Sequence, residues 1–213
     1  MVVEHKRMLE NERSRIARDM HDQLGAQLTQ ISLLTELARQ EQSSNVKSTS
    51  HLSRITQATG ELIHKMDQVV WAVNPLKDNL EELVGYCTDY AEHFFESSSI
   101  SCRVHIPDDL PEFRISSRVR YQFFLVLGEA LNNIVKHAEA SEVRLSWELS
   151  QVSLTLNISD NGKGFKHEDT AKGRNGLLNM DERMKSIGGT LILTSELNRG
   201  TMVQLSILQS EFQ

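Results

Sequence analysis

Between Glu4 and Gln40 the chain has no proline and a single glycine, Gly25. Over that stretch Leu9, Ile16, Met20, Leu24, Leu28, Ile31, Leu34 and Ala38 recur three, four or seven residues apart. This is a helical stripe of roughly ten turns, close to a coiled-coil seam. The polar segment QEQSSNVKSTS reads as a turn. A second stripe, Leu52, Ile55, Thr59, Leu62, Ile63, Met66, Val69 and Val70, predicts a helix from about 49 to 73. It stops at Asn74-Pro75, because the residue before a proline avoids the helical region. Two long helices joined by a short turn make an antiparallel hairpin. A lone hairpin cannot bury both stripes, so the pattern predicts a homodimer closed as a four-helix bundle.

After Pro75 the texture changes, which places a domain boundary there: a helical hairpin over 1–75, then a second domain over 76–213. Residues 79–97 read as a helix and ISCRVHI, 100–106, as a strand. Residues 116–138 read as one long helix. EVRLSWEL (142–149) and SLTLNIS (153–159) alternate with period two and form a strand pair. A Gly-rich loop precedes a helix from about 176 to 187. GTLILTSE and GTMVQLSI are two further strands, turned at Asn198-Arg199-Gly200. The fold class is α+β, with helices on one face of a mixed sheet.

Bulk properties exclude several functions. A net charge of −6 argues against a nucleic-acid surface, which needs a basic patch. No run of about 18 apolar residues is present, so no transmembrane segment is expected. The charged N-terminus lacks the apolar core of a signal peptide, so a cytoplasmic location is expected. The coil at 1–12 is compatible with continuing from an upstream membrane or cytoplasmic sensor. Cys87 and Cys102 have no metal-site spacing and read as free thiols.

Three stretches of the second domain carry chemistry. In EALNNIVKHA (129–138), Glu129, Asn133 and His137 are four apart and Lys136 is three past Asn133. On an α-helix all four share one face. The face is either solvated or shared by a polar ligand; carboxylate and amide oxygens suit Mg²⁺, and lysine suits phosphate. In SDNGKGF (159–165), Asp160 ends an alternating strand and can accept from an exocyclic amine such as that of adenine. Gly162 and Gly164 allow close backbone approach, or simply make a turn. In GRNGLLNMDERM (173–184), Asn175-Gly176 opens a helix whose free N–H groups suit phosphate. Gly200-Thr201 begins the last strand, as a small hydroxyl pair or a plain hairpin.

Together, in order and spacing, E-A-L-N-N-x-x-K-H-A, D-N-G-x-G-F, N-G-L-x-N-M-x-x-R and a final G-T resemble the ATP-binding domain of the GHKL superfamily. E-R-S-R-I-A-R-D-M-H-D-Q-L-G (12–25) and V-V-W-A-V-N-P (69–75) resemble the hairpin of sensor histidine kinases of the NarX/DesK-like subfamily. The resemblance spans roughly 10–208. It implies an α/β sandwich of the Bergerat type and autophosphorylation of a histidine from ATP. The phosphoryl group then passes to an aspartate on the receiver domain of a response regulator. It implies that Asn133 ligates Mg²⁺ and Glu129 orders its water shell, with Lys136 and His137 near the phosphates. Asp160 and Thr201 would read adenine, with Gly162, Gly164, Gly176, Leu177 and Gly200 shaping the site. Residues 165–175 would be a lid. Arg174 stands where the family commonly has glycine and reads as solvated.

His21 lies at the edge of the stripe centred on Met20, partly exposed yet held by the helix. A neutral imidazole there is a competent nucleophile for phosphoryl transfer. Asp22 can hydrogen-bond the ring, fixing its tautomer and supporting the imidazolium. Arg18, one turn earlier, can balance phosphate charge. The six histidines His5, His51, His64, His93, His105 and His167 read as structural or surface residues. The subfamily often has Gln or His four past the aspartate, where this chain has Ala26, so weak phosphatase activity is expected, or one using Gln23 or Gln27. The competing readings are another GHKL ATPase or serine kinase, and a dimeric nucleotide-binding scaffold without turnover.

Overall fold

The computed structural model describes residues 14, 24–25, 28–29, 31–37, 55–56, 58–60, 62–63, 66–68, 70–166, 174–208 and 210, with the side chains of 174 and 175 left out. The chain divides into two compact units, Met1–Pro75 and Leu76–Gln213.

In the first unit every described residue from 14 to 73 is α-helical. Thr29, Thr35 and Thr59 donate their hydroxyls to the carbonyls of Gly25, Ile31 and Ile55, the backbone partners four residues earlier. Leu34 and Ala58 are buried, but Leu28, Ile63, Met66 and Val70 stay exposed, Val70 at 64%. A stripe of this kind left in water is an unpaired packing face. A 3₁₀ turn, Pro75–Lys77, follows the helical residues. No helix among the described residues is long and apolar enough to cross a membrane.

Among its described residues the second unit has three α-helices, α1 (Leu80–Glu96), α2 (Ser117–Asn133) and α3 (Arg174–Ser186). Its strands are β1 (Ser101–His105), β2 (Glu142–Leu149), β3 (Ser153–Asp160), β4 (Gly189–Glu196) and β5 (Gly200–Leu208). They form one sheet in the order β1-β2-β3-β5-β4. β1 pairs with β2 in parallel, and the other neighbours are antiparallel. The sheet is therefore mixed, as expected from the sequence. The parallel β1–β2 step is possible because α2 lies between the two strands in sequence and makes the crossover.

Period two sorts the strands. Val143, Leu145 and Trp147 of β2, Leu154, Leu156 and Ile158 of β3, and Val203, Leu205 and Ile207 of β5 are buried under the helices. Asp160 continues the inward register of β3, so the pleat itself carries a carboxylate to the apolar side. Across the core, Trp147 stacks on Phe123 of α2 at 5.7 Å, and its indole N–H donates to Thr88 Oγ1 of α1 at 3.2 Å. Asn79 and Ser116 cap α1 and α2 by accepting from the N–H groups of Glu82 and Val119.

At the edge of this unit, fully buried Arg120 donates through Nη2 to Asp78 Oδ1 at 2.6 Å. The same segment is tied to 113–115 by Leu80 N–H on Phe113 O and Ile115 N–H on Asp78 O. Removing one partner of a buried pair strands a charge, at a cost of about 3 kcal/mol or more. Asp78→Ala is therefore expected to lower the unfolding free energy, read by urea denaturation, by that amount. An unfolding free energy within about 0.5 kcal/mol of wild type would contradict the assigned role.

Two expectations need correction. The helix read over 116–138 is α only to Asn133; Ile134–Ala138 is a π-turn ending at Glu139 in the left-handed region, φ 55°. At its end the Ala138 carbonyl accepts from Lys163 N–H of the neighbouring loop at 2.8 Å, a tertiary bond that helix periodicity does not anticipate. Glu129, Asn133, Lys136 and His137 therefore do not share a simple four-residue face. The helix read from 176 begins at Arg174, so the N-G-L stretch lies within its first turns.

Candidate functional site

Beneath the π-turn a cavity of about 420 Å³ opens between α2, α3 and the inner face of β3, β5 and β4. Its walls are mainly apolar, with Ile134, Ile158, Met180, Leu193 and Val203. A few polar residues line it: Asn133, Lys136 and His137 on one side, Asp160 and Thr201 on the other, with Lys163 at the rim. An apolar slot with few convergent polar groups is the usual form of a small-molecule site.

Asp160 is the deepest of these groups, 8% exposed. Burial raises its pKa, because the charged form loses hydration. The backbone N–H groups of Gly162 and Thr201 act in the opposite direction by donating to the carboxylate. The Gly162 bond is 2.8 Å long, to Oδ1. The carboxylate is thus fixed in place from the loop at Gly162 and the start of β5 and presents its remaining acceptor capacity to the cavity.

The glycines around it are required sterically. A Cβ on Gly162 would meet the Ala138 carbonyl oxygen at 2.2 Å, and one on Gly200 would meet the Asp160 carbonyl oxygen at 1.9 Å. Gly164 has φ 57°, and its Cβ would lie 2.0 Å from the Glu196 carbonyl oxygen. Three chain segments meet here, closer than any side chain allows. Lys163, between two of these glycines, also accepts from Asn198 N–H at 2.7 Å through its carbonyl. Its ammonium pairs with Glu139 Oε1 at 2.6 Å on the exposed rim.

Asn133, Lys136, His137, Asp160, Gly164, Leu177 and Thr201 therefore line one cavity. Gly162 donates to Asp160 and Gly200 packs against the Asp160 backbone, rather than forming the wall. Glu129 and Gly176 meet each other: a Cβ on Gly176 would come within 2.7 Å of Glu129 Oε1, so the carboxylate abuts the first turns of α3. His21, Asp22 and Arg18 lie outside the described residues, as do Gln23, Ala26, Gln27 and 167–173. Sequence reasoning does not single out Lys163, Leu193 or Val203, and it has Phe165 only as the end of the D-N-G-x-G-F motif and the start of the expected lid. A signal for Leu193 and Val203 does exist, because the Asn198-Arg199-Gly200 turn sets a β4–β5 register that pairs them.

Comparison with known proteins gives two family matches. A model described as histidine kinase matches residues 12–78, and one described as histidine kinase-, DNA gyrase B-, and HSP90-like ATPase matches 118–211. The sensor histidine kinase LiaS of Bacillus subtilis is 28% identical over 95% of this chain and 55% of its own length. The oxygen sensor histidine kinase NreB of Staphylococcus carnosus is 28% identical over 93% of this chain and 56% of its own. This chain thus spans little more than half of either relative. Among solved structures, the histidine kinase domain of the blue-light activated histidine kinase EL346 of Erythrobacter litoralis aligns with TM-score 0.57 at 17% identity. That alignment covers 91% of this chain and 96% of that one and attests the fold.

Proposed function

This chain belongs to the sensor histidine kinases, and from that premise we propose that it is the catalytic core of one. In this reading it phosphorylates His21 from ATP and passes the phosphoryl group to an aspartate of a response-regulator receiver domain. The observation that carries the reading is the Asp160 carboxylate, buried at one end of an apolar cavity beside Thr201. A flat base slides between apolar walls, and its exocyclic amine donates to the carboxylate. The match to a histidine kinase-, DNA gyrase B-, and HSP90-like ATPase supports adenine as that base.

In this reading the polar groups at the other side of the cavity receive the phosphates. Lys136 and His137 neutralise them, and the N-terminal turns of α3, with Gly176 and Leu177, offer backbone N–H groups. Asn133 and Glu129 supply oxygens of the kind Mg²⁺ takes, Asn133 directly and Glu129 through water. An ion held by so few protein oxygens would keep water and phosphate in its shell. When bound, Mg²⁺ would offset phosphate charge.

Residues 1–75 form the dimerisation and phosphotransfer hairpin in this reading, and 76–213 the ATP-binding domain. The exposed Leu28, Ile63, Met66 and Val70 are where a second copy of the hairpin would pack. In the chemical step an imidazole nitrogen of His21 forms a bond to the γ-phosphorus while the bond to the ADP oxygen breaks, in line. Asp22 holds the ring in the required tautomer and supports its developing positive charge, and Arg18 faces the transferring group. Positioning and charge neutralisation supply most of the rate. The core works on the cytoplasmic side, driven by whatever sensor the full protein carries.

Incubation with γ-labelled ATP tests this. Label on the protein that is lost in acid and kept in alkali is expected of a phosphohistidine. Acid-stable label would point to a hydroxyl acceptor instead. Nucleotide binding without label would make the chain a scaffold.

A further inference from the structure

Ser195 has no part in the site as read from sequence, yet its hydroxyl joins three of the site's segments. It sits on β4 directly opposite Thr201 of β5, one step along from the Leu193–Val203 pair that walls the cavity. Ser195 Oγ lies 2.9 Å from the N–H of Phe165, 3.0 Å from Thr201 Oγ1 and 3.1 Å from the Gly200 carbonyl oxygen.

A serine hydroxyl has one proton and two lone pairs. The Gly200 carbonyl can only accept, so it takes the Ser195 proton. The Phe165 N–H can only donate, so it takes one lone pair. The remaining lone pair faces Thr201, whose hydroxyl must then donate to Ser195. With its proton committed, Thr201 offers the cavity only lone pairs. Asp160, its neighbour through the Thr201 backbone N–H, is also an acceptor.

We infer that Ser195 is a positioning residue for base selection: by holding the Thr201 proton, it keeps that end of the cavity purely accepting. Such an end fits a base edge with an amino group and sets acceptor against acceptor for a 6-oxo purine. Rejection by unpaired polar groups is the strong form of discrimination in a buried pocket. This inference rests on the nucleotide reading above.

The test compares binding of ADP and of inosine diphosphate, which carries oxygen where adenine carries the amine, by calorimetry on the whole chain. The wild-type chain is expected to prefer ADP. In Ser195→Ala the preference should fall about three- to tenfold, the worth of one hydrogen bond. The Thr201 proton is then free to turn toward the oxo group. Ser195→Thr, which keeps the hydroxyl, should restore the preference. Ser195→Ala should have no further effect on the ratio in a Thr201→Val background. A ratio of affinities is insensitive to an inactive fraction. If Ser195→Ala does not fold, Ser195→Cys, near-isosteric with a weaker acceptor for the Thr201 proton, gives the same comparison. Tight binding of both nucleotides with an unchanged ratio in Ser195→Ala overturns the role of Ser195 alone. So does a wild-type chain without preference, or a full Ser195→Ala effect in the Thr201→Val background. A wild-type chain that binds neither nucleotide overturns the nucleotide reading and this one with it.

Discussion

Gly164→Ala is expected to destabilise the second unit by about 3 kcal/mol and to abolish nucleotide binding. Two costs add. At φ 57° an alanine is strained, by roughly 1 kcal/mol or more. The larger cost is steric, because the new methyl would lie 2.0 Å from the Glu196 carbonyl oxygen and 2.9 Å from that of Gly200. Both obstacles are backbone, so no rotamer change relieves them. Relief requires moving the 196–200 turn, which leads into Thr201, whose N–H donates to Asp160, and whose Gly200 carbonyl accepts from Ser195. A local clash therefore becomes loss of the base pocket. Gly128→Ala is the control: it lies in α2, and its Cβ would meet only the Tyr90 hydroxyl, at 3.7 Å. Helix propensity there favours alanine by up to about 1 kcal/mol. Urea denaturation with ADP titration checks both; a Gly164→Ala chain with wild-type stability and affinity would contradict the packing described.

Asp160→Asn is expected to move stability and binding in opposite directions. Burial raises the Asp160 pKa in the folded chain. The folded state thus holds the proton more tightly than the unfolded state. The stabilisation this gives is fully present below the unfolded pKa and is lost as pH rises through the folded value. At neutral pH the ionised carboxylate is a burden on the fold, and asparagine removes it. Asp160→Asn should therefore melt at a higher temperature than wild type at pH 7 to 8, with the gain shrinking as pH is lowered. ADP affinity should fall about tenfold to a hundredfold, because a charge-assisted bond to the amine becomes a neutral one. Wild-type affinity should weaken as pH falls through the raised pKa, while that of the variant should not follow that titration. Thermal melts and calorimetry across pH 4 to 8 read both trends. An Asp160→Asn chain less stable than wild type at pH 8 would contradict the burial argument.

These two residues also mark how much of the molecule is legible in its sequence. Asp160 follows Leu154, Leu156 and Ile158 at period two, so its inward direction follows from the strand pattern alone, and it is buried. The strands and helices of the second unit are legible for the same reason, since hydrophobic period fixes which face is covered. The π-turn at Ile134–Ala138 is not. α and π turns use the same residues, and the bond that accompanies the π-turn, from Lys163 N–H to Ala138 O, comes from a segment outside the helix. Ser195 is illegible because one serine in an alternating strand is ordinary; only the register opposite Thr201 gives it a role. Arg120 is hidden in the same way. An arginine in a helix reads as surface until it is found buried, with Asp78 beside it at the edge of the unit.

The central claim is that His21 is the group phosphorylated. After incubation with γ-labelled ATP and Mg²⁺, neutral-pH mass spectrometry should place the phosphoryl group on His21. His21→Gln should carry no label while binding ADP as wild type does. Acid-labile label persisting in His21→Gln, or mapped to another histidine, would contradict the account.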